Sequence, residues 1–182
     1  DGGACFTDDD QLAQLAHEIR SHGQSRRYVH TRVGLNGRLD TIQAAILLSK
    51  LDCFPEEVEL RQLRAQDYDT EISKRCDSNA VVLPSVREGN RSVFAQYTVR
   101  VSNRSKVQQR LKESQIPTAV HYPVPLHQQE VYKSGRYPYR VVGNLASSEQ
   151  AAQQVLSLPF SPWMDSATCE TVAGALAQAV AA

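Results

Sequence analysis

A change of hydrophobic period near residue 76 constrains this chain more than any other feature. Before it, apolar residues recur at helical spacing. Beyond it, residues 94–101 alternate, with Tyr97, Val99 and Val101 on one face and Thr98 and Arg100 on the other. A chain carrying both periods must bury helix stripes against a sheet face. Residues 81–83 and 116–122 read as further strands, the latter running into a proline-rich loop at Pro123 and Pro125. Ser105 and Gln108 are expected to cap a helix carrying Val107 and Leu111. A polar helix around 146–155 precedes the apolar residues 156–158, and Val172, Leu176 and Val180 mark a C-terminal amphipathic helix. Strands and helices mingle without strict βαβ alternation, which predicts a small α+β domain from 76 onward.

The first part reads as helix, irregular segment and helices. Thr7 and Asp10 form a T-x-x-D start before Leu12, Leu15, Ala16 and Ile19, and Gly23 closes that helix. Residues 22–38 show no periodicity. Asp40 and Gln43 cap a second helix through the apolar stretch 44–51, and Pro55 opens a third, reaching about Lys74.

With 182 residues, the chain is long enough to bury roughly 70% of its unfolded surface without disulfides or metal. Twenty basic residues balance twenty acidic ones, so a globally basic nucleic-acid binder is excluded. The longest aliphatic run, residues 44–48, is far short of a membrane span. The start, DGGACFTDDD, lacks the basic and apolar regions of a signal peptide and has no Met, so the chain reads as the downstream piece of something longer. Four cysteines without a C-x-x-C pair are expected to be reduced, mostly buried thiols in the cytoplasm.

Two segments can carry chemistry. Residues 19–39 hold five arginines (Arg20, Arg26, Arg27, Arg32, Arg38), two histidines and no carboxylate. That composition suits an anion cradle, because guanidinium pairs bidentately with phosphate or carboxylate; the alternative is a solvated loop answering acidic residues elsewhere. Arg38 stands where this loop enters the Asp40-capped helix. The second segment, 118–127, presents His121 and Tyr122 beside stiffening prolines, either to hydrogen-bond a polar ligand or to satisfy the core. His17 and His22 do not share a helical face, and no zinc spacing, nucleophile elbow or P-loop occurs, so no metal is expected.

Taken together, several ordered motifs resemble the C-terminal half of DegT/DnrJ/StrS sugar aminotransferases. They are Asp1-Gly-Gly-Ala-Cys-Phe-Thr, Ser21-His-Gly-Gln, Arg27-Tyr28, Gly34-Leu-Asn36-Gly-Arg38-Leu-Asp40, Gln43-Ala-Ala, Pro117-Thr118, His121-Tyr122-Pro123 and Leu156-Ser-Leu-Pro159. The resemblance implies an α/β fold, the C-terminal part of a fold-type I pyridoxal-phosphate-dependent transferase ending in a small α+β domain. Residues 1–39 would end the large cofactor-binding domain with a partner-facing loop, 40–75 would be connecting helices, and 76–182 the small domain.

Phe94-Ala-Gln-Tyr97-Thr-Val-Arg100 and the run 118–126 are most similar to enzymes that aminate UDP-2-acetamido-2-deoxy-3-oxo-glucuronate with glutamate, for bacterial surface polysaccharide such as lipopolysaccharide O-antigen. Leu35 and the pair Ala95-Gln96 depart from many relatives and favour that subgroup. By resemblance, Asn36 would reach the cofactor phosphate of the neighbouring subunit of a homodimer. Arg38 would bind an anionic group of donor or uronate, and His121 and Tyr122 would line the sugar-nucleotide side. In the family the Schiff-base lysine precedes the Asp-Gly-Gly stretch, so the resemblance implies a lysine before Asp1; none of Lys50, Lys74, Lys106, Lys112 and Lys133 stands in its context. The chain alone is therefore expected to be inactive. The alternatives are a 4-keto nucleotide-sugar aminotransferase, a lysine-lacking dehydratase of the same family, or a non-catalytic sugar-nucleotide-binding or dimerisation module.

Overall fold

The computed structural model describes residues 2–181. Asp1, which opens the Asp-Gly-Gly stretch, and Ala182, which ends the span assigned to the small domain, lie outside them. The chain packs as two compact units that meet in sequence at Phe54 and Pro55.

In the first unit, α1 (Asp10–Arg20) is capped by Asp9, whose Oδ1 accepts from the N–H of Gln11 at 2.9 Å and of Leu12 at 3.1 Å. The cap expected at Thr7 thus moves two residues on. A carboxylate is the better partner for the positive end of a helix, and Thr7 Oγ1 instead accepts from the Asp9 N–H at 3.1 Å. After α1 the chain makes a small antiparallel hairpin, β1 (Gln24–Arg26) and β2 (Val29–His30), inside the segment that shows no period. Two- and three-residue strands are too short to display one. The Asp40 cap is as expected: its Oδ1 accepts from Ile42 N–H at 2.9 Å and Gln43 N–H at 3.4 Å, starting α2 (Thr41–Leu51). No residue of α2 is buried, and Ile42, Ile46, Leu48 and Leu51 are all exposed.

The second unit contains α3 (Phe54–Arg75), β3 (Val81–Val82), β4 (Tyr97–Val101) and α4 (Arg104–Glu113). It continues through a 3-10 turn (Leu126–Gln128), α5 (Glu130–Lys133), α6 (Ala146–Gln154), β5 (Val155–Leu158) and α7 (Ser166–Ala181). The sheet is antiparallel in the order β3-β4-β5, with Val81 opposite Val101 and Tyr97 opposite Leu158. The period-two reading of β4 holds: Tyr97, Val99 and Val101 are buried, against half-buried Thr98 and exposed Arg100. They join one core with Ala65, Tyr68 and Ile72 of α3, Val107 and Leu111 of α4, and Val172 and Leu176 of α7. By packing α3 therefore goes with the residues beyond 76, although its sequence groups it with the connecting helices. The Tyr68 and Tyr97 rings stack at 4.8 Å, and their hydroxyls donate to Pro159 O at 2.7 Å and to Asp69 Oδ1.

Three expectations change. Residues 116–122 do not form a strand; Pro117 has no N–H to donate, and pairing is confined to Ala119 opposite Ser157. Helix α4 starts after Asn103, in the left-handed region at φ 52°, so Ser105 lies inside the helix. Of the four thiols only Cys169 is buried; Cys76 is half-buried, and Cys5 and Cys53 are exposed. Cys169 lies on the core face of α7, whereas Cys5 precedes α1, Cys53 stands in the turn between α2 and α3, and Cys76 follows α3. Among the described residues no helix is long and apolar enough to cross a membrane.

Candidate functional site

The loop that bears Asn36 and Arg38 is pinned to the end of α1 by backbone hydrogen bonds. Leu35 N–H donates to Ile19 O at 2.9 Å, His22 N–H to Leu35 O at 2.9 Å, and Gly37 N–H to Arg20 O at 2.8 Å, which sets Ser21 opposite Asn36. The approach is too close for side chains. A Cβ on Gly34 would stand 2.1 Å from the Gly23 nitrogen, and one on Gly23, at φ 70°, would stand 1.9 Å from Arg32 O. Both glycines are therefore required by contact, and Gly23 also by conformation. On this frame Arg38 Nε donates to Asn36 Oδ1 at 3.1 Å. That bond orients the amide so that its NH2 stays a donor, while the guanidinium keeps its other N–H groups. Both side chains are exposed.

The five arginines around this loop are not equivalent. Arg32 Nε donates to Glu18 Oε2 at 2.8 Å, and Glu18 also accepts from Gln14 Nε2 at 3.0 Å. These donors hold the Glu18 carboxyl below its ordinary range, and the pair ties the hairpin to α1. Arg27 lies over the Tyr28 ring, 4.9 Å from its centroid. Arg32 thus serves the fold. Arg20, Arg26 and Arg38 remain exposed to an anion.

In the second unit, His121 and Tyr122 stand side by side with rings edge-on at 5.6 Å, joined by a cis peptide bond. His121 Nδ1 lies 3.3 Å from Ser157 Oγ, which is also 2.8 Å from Thr98 Oγ1, so the imidazole partner is a hydroxyl and not a core carbonyl. Tyr122 is 74% exposed. Both line an open groove of about 620 Å3, whose other walls include His127, Tyr132, Tyr139 and Leu145. The structure brings Asn36 to Arg38 and His121 to Tyr122; the two pairs belong to different units.

Ser157 and the His127–Glu149 pair are groups the sequence reading passed over. Ser157 is buried in the apolar strand β5, and a hydroxyl in such a strand was the available signal. His127 stood in the proline-rich run without a role. Its partner is on α6, 22 residues away, and no local pattern shows it. The five lysines lie on α2, α3, α4 and α5; Lys74 pairs with Glu71 at 2.8 Å. Among the described residues no group of three His, Cys, Asp or Glu side chains could hold a metal ion.

Known proteins resemble this chain over nearly its whole length. The UDP-2-acetamido-2-deoxy-3-oxo-D-glucuronate aminotransferase of Pseudomonas aeruginosa is 47% identical over 176 residues, covering 97% of this chain and 46% of that protein. A DegT/DnrJ/EryC1/StrS aminotransferase from Brucella abortus superposes with a TM-score of 0.85 at 34% identity, over 97% of this chain and 46% of that one. S. venezuelae DesV, solved with a ketimine intermediate, gives 0.84 at 31% identity, over 95% of this chain and 45% of that one. The chain spans about half the length of the curated relatives it matches. The α/β architecture expected from the motifs is the one these neighbours share. The model of the DegT/DnrJ/EryC1/StrS aminotransferase family matches residues 1–177, and the chain belongs to that family.

Proposed function

We propose that this chain is the C-terminal portion of a pyridoxal-phosphate-dependent aminotransferase. The enzyme moves an amino group from glutamate to the 3-keto group of a UDP-sugar uronic acid, for bacterial surface polysaccharide. The observation that carries the reading is the Asn36–Arg38 loop, with its two side chains joined at 3.1 Å on a backbone that cannot slide. Its donor set fits a phosphate or carboxylate: an amide NH2 and a guanidinium, exposed and without a carboxylate in residues 19–39. Asn36 would hold the cofactor phosphate of a neighbouring subunit, and Arg38 the carboxylate of glutamate or of the uronate. The cofactor, when bound, supplies the electron sink for amino-group transfer. His121 and Tyr122 would orient the sugar nucleotide, with Ser157 fixing the imidazole. The exposed face of α2, with Ile42 at 74% and Leu48 at 66% exposure, is apolar surface suited to the rest of the enzyme or to a second subunit. The relatives' greater length leaves room for the lysine in a segment this chain does not include.

Amino transfer tests the reading. Glutamate, pyridoxal phosphate and the UDP-3-keto-sugar acid are supplied to this chain and to a longer polypeptide carrying an N-terminal half. The longer protein is expected to release 2-oxoglutarate, the chain alone none. Arg38→Ala in the longer protein is expected to lower kcat/KM about 10- to 100-fold, the size of a lost charged hydrogen bond. Transfer by the chain alone, or an unaffected Arg38→Ala enzyme, contradicts the assignment.

A further inference from the structure

The segment that presents His121 and Tyr122 is fastened differently at its two ends. Upstream, backbone holds it: Ala119 N–H donates to Ser157 O at 3.1 Å and Ser157 N–H to Ala119 O at 2.8 Å. Downstream, two side chains converge on a single carboxylate oxygen. His127 Nε2 lies 2.9 Å from Glu149 Oε1, and Gln128 Nε2 donates to the same atom at 3.1 Å. Between the fastenings stand Pro123 and Pro125, whose fixed φ makes the stretch stiff, so a displacement at one end is passed along it. Glu149 sits on α6, the helix that supplies Ser148 and Ala151 to the groove shared by His121, Tyr122 and His127. The carboxyl of Glu149 is held below its ordinary range by these donors and stays an ionised acceptor. The His127 side chain is only 20% exposed, so the contact is shielded on one side from water.

We propose that His127 is a positioning residue: with Gln128 it fastens the end of the His121–Tyr122 turn to Glu149 of α6 and so holds both side chains in the groove. The functional half of this inference rests on the sugar-nucleotide reading of His121 and Tyr122; the fastening itself does not. Its test uses the whole chain and two readouts, amide hydrogen exchange over residues 119–133 and the Kd for UDP by calorimetry. His127→Ala is expected to speed exchange over 124–128, leave exchange in β4 and α7 unchanged, and raise Kd about fivefold, within the range of one lost hydrogen bond. His127→Gln keeps a neutral donor of similar reach and is expected to restore Kd to within about twofold. A residue that merely stabilises the core would not show that rescue. The double variant with Glu149→Ala is expected to match Glu149→Ala alone, because both act through one contact.

The possible results separate the two readings. His121→Ala weakening UDP while His127→Ala changes neither readout overturns the positioning role and keeps the site. UDP binding indifferent to His121→Ala and Tyr122→Ala overturns the site. The fastening is then judged by exchange alone: acceleration over 124–128 in Glu149→Ala supports it, and unchanged exchange overturns it.

Discussion

Gly34→Ala is the cleanest perturbation of the candidate site, because it adds one methyl group at a very close backbone approach without the left-handed φ that Gly23 also carries. The new Cβ would stand 2.1 Å from the Gly23 nitrogen and 2.6 Å from both His22 C and Ile19 O. Ordinary contact begins near 3.4 Å, so the two backbones must part by more than an ångström, and all three obstacles are main-chain atoms that cannot rotate away. Three hydrogen bonds span that gap: Leu35 to Ile19, His22 to Leu35, and Gly37 to Arg20. At about 1 kcal/mol net each, their loss amounts to about 3 kcal/mol of local stability. The clash is confined to the first unit, so the core around Tyr68 and Tyr97 is expected to keep its unfolding midpoint. Amide exchange of Leu35 and Gly37 is the assay, and a protection factor lower by about a hundredfold is expected. A longer enzyme carrying the variant should bind cofactor more weakly, since Asn36 and Arg38 ride on this loop. Unchanged protection at Leu35 and Gly37 would refute the claim that close backbone contact holds the loop.

Two further outcomes follow from the packing and the charges. Tyr97→Phe deletes the hydroxyl that donates to Asp69 while keeping the ring stacked on Tyr68; because Asp69 is half-buried and regains some water, a loss of about 1.5 kcal/mol is expected in urea unfolding, with an unchanged m-value. Equal stability of the two proteins would show that the hydroxyl does not contribute. The Glu18 carboxyl, which ordinarily titrates near 4.5, is lowered chiefly by Arg32 and then by Gln14. A depressed folded value means that its stabilisation is present above the unfolded value and lost as pH falls through the folded one. Protection factors in the hairpin of residues 24–30, which remove the intrinsic pH dependence of exchange, should therefore fall below pH 4.5 in the native protein, and Glu18→Gln should abolish that fall; a protection profile identical in the variant would count against the pair.

Much of the fold was legible because it rests on local periodicity and local chemistry. The alternation at Tyr97, Val99 and Val101 is a property of successive residues, as is the spacing of Val107 from Leu111, and the Asp40 cap is made with N–H groups two and three residues on. The ordered motifs also carried the family, since they lie in one chain in one order. Failures occurred where several local signals competed. The cap expected at Thr7 is made by Asp9 two residues on, and Ser105 could not reveal that Asn103 would turn left-handed first. Residues 116–122 have strand composition, yet a strand exists only if another strand offers its edge, and β5 offers it at Ser157 alone.

The sequence by itself determined which residues could do chemistry: amide and guanidinium at Asn36 and Arg38, imidazole and phenol at His121 and Tyr122. Tertiary structure decided which of them are held, and by what. Arg32 is taken by Glu18, 14 residues earlier; Arg38 orients Asn36; Ser157 meets His121 across 36 residues, and Glu149 meets His127 across 22. The difference is physical. Residue type fixes charge and donor count, whereas position in space depends on contacts between distant segments, and those exist only after the chain has folded.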